Sequence, residues 1–92
     1  MSYEYFDYIL DWPDKPTATI GAMVGNENTW RIDLWSQHQY RIMSDIQRYI
    51  DDGWEPVTEV GPSGFDIHYS GGFLGAHRYQ LRSFCVKLRR SR

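Results

Sequence analysis

The stretch "YIDDGWEPVTEV", Tyr49–Val60, carries the chain from the end of a helix into a strand. Gly53 falls where the helix must stop, because a residue without a Cβ enters the left-handed backbone region at the least cost. Trp54 then starts a strand as an inward anchor with Glu55 pointing outward, and Val57 and Val60 are expected to continue it beyond Pro56. Asp51 and Asp52 sit at the negative end of the helix dipole, an unfavourable place unless a basic group neutralises them. An Arg from the basic C-terminal region is expected to do so.

Upstream, Ser36 is placed to cap the first turn, Gln39 completes a capping box, and Trp35 before the cap packs on Tyr40 as a hydrophobic staple. Ile42, Met43, Ile46, Tyr49 and Ile50 follow as one apolar stripe at helical period. Arg41, Asp45, Arg48 and Asp52 occupy another side at three- and four-residue spacings, which reads as a solvated face.

Before the helix, "TATIGAMVGNENTWRIDLW" predicts a hairpin. Ala18, Ile20, Ala22 and Val24 alternate on one side of a Gly25–Asn28 turn, and Trp30, Ile32 and Leu34 alternate on the other. The first strand, "YEYFDYIL" (Tyr3–Leu10), is apolar on both faces, the pattern of an interior strand covered on both sides. Pro13 and Pro16 end it, since each lacks a ladder donor.

Beyond the junction, "FDIHY" alternates with Phe65, Ile67 and Tyr69 on one face, and "SGGFLGAH" reads as a glycine-rich loop. "RYQLRSFCVKLRR" is a long strand. Its apolar side switches from Tyr79 and Leu81 to Phe84, Val86 and Leu88, which a bulge near Arg82 and Ser83 explains. The fold expected is α+β, a mainly antiparallel sheet of five or six strands with one long helix packed on one face. Residues 1–92 form a single domain, too short for a second core.

Together "YEYFDYIL", "IQRYIDDGWEPVTEV" and "YQLRSFCVKLRR" resemble the short bacterial domain-of-unknown-function family 4177, whose members run strand, helix, Gly-Trp-Glu, strand, strand. Members of that family usually have Leu after Gly-Trp-Glu where this chain has Pro56, and the segment from Asp11 to Trp35 looks like an insertion. The resemblance implies a fold and no chemistry.

Hydrophobic content of 41%, with 16% aromatic, is ample for a packed interior. One cysteine excludes an intrachain disulfide, no apolar run approaches a membrane span, and "MSYEYFDYIL" shows no basic leader; a reducing cytoplasm is expected. Charge is polarised along the chain. Residues 1–70 hold all 12 acids and 4 bases, a balance of −8, whereas residues 71–92 hold 6 bases and no acid, so the total is −2. Internal pairing of the two ends is the leading expectation, ahead of pairing with a copy or with an acidic partner.

Chemistry finds little footing. His38, His68 and His77 lack metal-ligand spacing, with only Asp66 sharing a strand face with His68, where a surface pair is the expected role. Cys85 has no context that would activate a thiol and reads as a buried structural residue. Asp51 and Asp52 point apart on the helix, and Gly71, Gly72 and Gly75 lead into no helix, so neither an acid–base couple nor a phosphate loop is expected. The expected role is a non-enzymatic structural or protein-interaction module with no catalytic, cofactor or metal residues. Apolar faces outnumber the cover that one helix provides, so a homodimer is expected. The alternative is single-stranded nucleic-acid binding through Arg78, Arg82, Lys87, Arg89 and Arg90 beside exposed aromatics. A pI near 5.8 opposes it.

Overall fold

The computed structural model describes residues 2–21, 27–70 and 76–92. Strand β1 (Tyr3–Asp11) is followed by β2 (Thr17–Gly21), helix α1 (Glu27–Asp51), a two-residue β3 (Glu55–Pro56), a single 3-10 turn (Pro62–Gly64), β4 (Phe65–Ser70) and β5 (Ala76–Ser91). The class is α+β, with one helix against an antiparallel sheet. Four strands of five residues or more, joined by β3, make that sheet, fewer full strands than the five or six expected.

Strand β5 is the hub, and every other strand pairs with it alone. Asp11↔Ser83 to Tyr3↔Ser91 places β1 along the second half of β5, and Thr17↔Gln80 to Gly21↔Ala76 places β2 along its first half. Strand β4 pairs with residues 78–84 and β3 with Leu88 and Arg89, overlapping both sets. A strand has two edges only, so β1 and β2 share one edge of β5 while β3 and β4 share the other. The sheet is therefore three strands wide. At roughly 3.3 Å per residue, the 16 residues of β5 set the long dimension of a molecule measuring 54 × 24 × 23 Å.

This arrangement corrects the reading of β1 as an interior strand. It lies at an edge with one face covered. Tyr8 and Leu10 are buried beneath the helix, whereas Tyr5 and Ile9 on the other face are 57% and 60% exposed.

The helix begins at Glu27, so the predicted second hairpin strand, Trp30–Leu34, is helical. Trp30, Leu34, His38, Ile42 and Ile46 recur every four residues, and that period continues through the segment that had looked two-periodic. Arg31 pairs with Glu27 one turn earlier at 2.7 Å and donates to the Phe65 carbonyl at 3.0 Å, fastening the first turns to β4. Ser36 is accordingly mid-helix. Its hydroxyl donates to the Asp33 carbonyl at 2.8 Å rather than capping a free amide. Trp35 stacks on Phe84 at 6.3 Å instead of stapling Tyr40, which is 83% exposed. Residues 22–26 and the glycine-rich segment 71–75 lie outside the described residues, and with them Ala22, Val24, Gly25 and Asn26 of the predicted turn, and Gly71, Gly72 and Gly75; Glu27 and Asn28, its other half, are helical.

The core lies between α1 and one face of the sheet, where Ile42, Phe84, Leu81, Val86 and Leu88 are sealed from solvent. Of the expected helix stripe, Ile42 and Ile46 are buried and Tyr49 half-buried, but Met43 and Ile50 are exposed. The register between β4 and β5 steps from Asp66↔Ser83 to Ile67↔Leu81, leaving Arg82 as the extra residue. That bulge returns Phe84, Val86 and Leu88 to the same side as Tyr79 and Leu81. Gly64 touches this core closely, for a Cβ there would stand 2.5 Å from Phe84 Cε2.

Candidate interaction surface

The Gly-Trp-Glu junction is built around one guanidinium. Gly53 adopts φ +94°, a backbone that L side chains rarely take. Arg90 lies over the half-buried Trp54 ring at 4.5 Å, binds Glu4 at 2.6 Å, and reaches both the side chain and the carbonyl of Asp52, at 3.2 and 3.3 Å. A cation from the basic tail thus sits at the helix C-terminus, where the dipole favours it. The strand after Trp54 is shorter than expected, ending at Pro56. Val57 is 45% exposed and contributes only an amide, donated to the Lys87 carbonyl at 2.8 Å.

Most of the basic tail is used in the same way. Lys87 pairs with Asp7 at 3.3 Å and Arg89 with Glu55 at 2.6 Å, both across the sheet face that the helix leaves open. The same two side chains approach the rings of Tyr5 and Tyr3, at 5.9 and 4.5 Å. Arg90 projects to the helix side, so the five basic residues of the nucleic-acid reading do not share one surface. Arg78 and Arg82 are exposed without an ion pair among the described residues.

The remaining chemical candidates stay apart. Cys85 is exposed on the open face opposite Ile9, not buried, because it alternates with Phe84 and Val86. Partial desolvation and then the Asp7 carboxylate push its thiol pKa up, with Lys87 opposing. His38 packs beside Trp12 at 5.3 Å and His68 is exposed, while the side chain of His77 lies outside the described residues. Asp66 and His68 share the exposed side of β4 with no hydrogen bond joining them. Among the described residues no three His, Cys, Asp or Glu side chains gather as a metal site. No described helix is long and apolar enough to cross a membrane.

Asp45 departs from the solvated row expected of it, since the Tyr8 hydroxyl donates to its Oδ2 at 2.6 Å. Burial, reinforced by that bond to a carboxylate, pushes the Tyr8 hydroxyl far above its ordinary pKa. Tyr8, Asp45, Arg48 and Tyr49 line a groove of about 270 Å³ between α1 and β1. On β1 itself Tyr3, Tyr5, Phe6 and Ile9 are 37%, 57%, 40% and 60% exposed, an apolar concentration along the free edge. Set against family models, curated proteins and solved structures, the chain finds no match in any of the three.

Proposed function

We propose that this chain is a non-enzymatic, cytoplasmic interaction module that self-associates as a homodimer, on the plan of domain-of-unknown-function family 4177. The observation that supports this reading is the placement of β1. Its composition suits a strand covered on both sides, yet it stands at the margin of the sheet with four large apolar side chains partly in solvent. Tyr and Phe are enriched at interfaces because they supply contact area at low entropic cost. Sedimentation equilibrium at micromolar concentration in about 0.15 M salt tests it. A mass that rises towards twice 10.9 kDa is expected, and one that stays at 10.9 kDa at every concentration refutes self-association.

A second reading, single-stranded nucleic-acid binding, draws support from Tyr3 and Tyr5 lying beside Arg89 and Lys87 on an open sheet face. Each of those cations already faces a carboxylate, which weakens the field a phosphate would meet. A salt titration with labelled oligonucleotides separates the readings, because phosphate contacts make affinity fall steeply with salt. No binding at low salt removes the second.

A further inference from the structure

Resting on the self-association proposed above, the geometry points to a specific joint: β1 pairs with β1 of a second copy, antiparallel and centred on Phe6, so that two sheets become one. The hydrogen-bonding parity of β1 comes first. Lys87 turns both backbone groups away from β1, its N–H to Thr58 Oγ1 at 3.1 Å and its carbonyl to the Val57 amide at 2.8 Å. Asp7, opposite Lys87, is therefore in a non-hydrogen-bonded pair, and its own N–H and C=O face the free edge. By the two-residue period so do those of Tyr3, Tyr5, Ile9 and Asp11. Among the described residues no strand pairs with that edge. Of the usual guards β1 has only its acidic residues Glu4, Asp7 and Asp11: it contains no Lys, no Pro and no bulge.

Charge disfavours one register. Matching faces across a two-fold axis leaves pairings in which odd residues meet odd. Centring on Asp7 sets two carboxylates directly opposite each other, which is destabilising. Centring on Phe6 instead pairs Tyr3 with Ile9 and Tyr5 with Asp7 on one face, and Phe6 with Phe6 and Glu4 with Tyr8 on the other. No like charges stand directly opposite each other on the two strands. Four outward-facing pairs then exchange about eight backbone hydrogen bonds. The second copy's Glu4 arrives beside the groove lined by Tyr8, Asp45 and Arg48, and the exposed Arg48 has no partner among the described residues. The joint thus buries the 40% exposed Phe6 ring and sets Glu4, which its own Arg90 already binds, near a guanidinium unpaired among the described residues.

Two variants test the joint. Ile9→Pro removes an amide that points to solvent in the monomer and blocks the edge, while the bonds of β1 to β5 use even-numbered residues and persist. Its sedimentation mass should fall to that of one chain with an unchanged circular dichroism spectrum. In a Cys85→Ser background, Phe6→Cys should oxidise to an interchain disulfide, since Cα atoms of a central non-hydrogen-bonded pair lie about 4.5 Å apart. Ile9→Cys in the same background should remain reduced, being far along the strand from its copy. A wild type that stays monomeric overturns both the joint and self-association. A dimer that survives Ile9→Pro, or cross-links through Ile9→Cys and not Phe6→Cys, overturns the joint alone.

Discussion

Along β5 neighbouring residues face two different environments. Leu81, Phe84, Val86 and Leu88 turn towards the helix and are wholly buried, whereas Cys85, Lys87 and Arg89, alternating with them, look out from the face that the helix leaves open. On the covered side shape governs stability, because removed volume leaves a cavity. On the open side charge is arranged in pairs whose worth is screened by water. The same strand therefore has one face intolerant of substitution and one that is permissive.

Substitutions on the two sides should separate widely. Phe84→Ala, in contact with Tyr8, Trp35 and Phe65 rings, should cost about 3 to 5 kcal/mol in a denaturant melt. Overpacking is next: Gly64→Ala drives a methyl into Phe84 and should cost about 1 to 3 kcal/mol in the same assay. Tyr8→Phe leaves the half-buried Asp45 without its donor, for about 1 to 2 kcal/mol. It should also change the alkaline limb of the stability curve. The folded pKa of Tyr8 is raised, so the unfolded chain releases this proton first, near pH 10. Stability is full below that pH and falls as pH rises through it. Thermal melts should show that slope in the wild type and a shallower one in Tyr8→Phe. Smallest of all, Lys87→Ala on the open face should change stability by about 0 to 1 kcal/mol, less at high salt. A loss near that of Phe84→Ala would mean the open face is covered after all.

The C-terminal end of the helix was legible and its N-terminal end was not, for physical reasons. Gly53 announces a left-handed stop through its own chemistry, and Arg90 is one of few cations able to answer Asp52. At the start competing signals mislead: Ser36 and Gln39 imitate a capping box in mid-helix, and Trp30, Ile32 and Leu34 satisfy a two-residue period over five positions. Four-residue recurrence through Trp30, Leu34 and His38 was the deciding pattern. The bulge at Arg82 was readable because a face switch has few other causes. Tyr3–Leu10 has the composition of an interior strand, and composition alone does not reveal that β5 takes the centre. Gly64 and the Tyr8–Asp45 bond depend on contacts between distant segments, which no local window contains.

A sheet organised around β5 also has a consequence for how the chain acquires its shape. Every other strand precedes β5 in the chain and pairs with β5 alone, with partners as far apart as Tyr3 and Ser91. During synthesis the helix can coil as soon as Asp51 emerges, but β1 has no template until β5 is made. Loop closure over such separations is entropically costly and makes assembly slow. Throughout that interval a tyrosine-rich, proline-free strand waits unpaired, so crowded nascent chains are where cross-pairing competes most with correct folding.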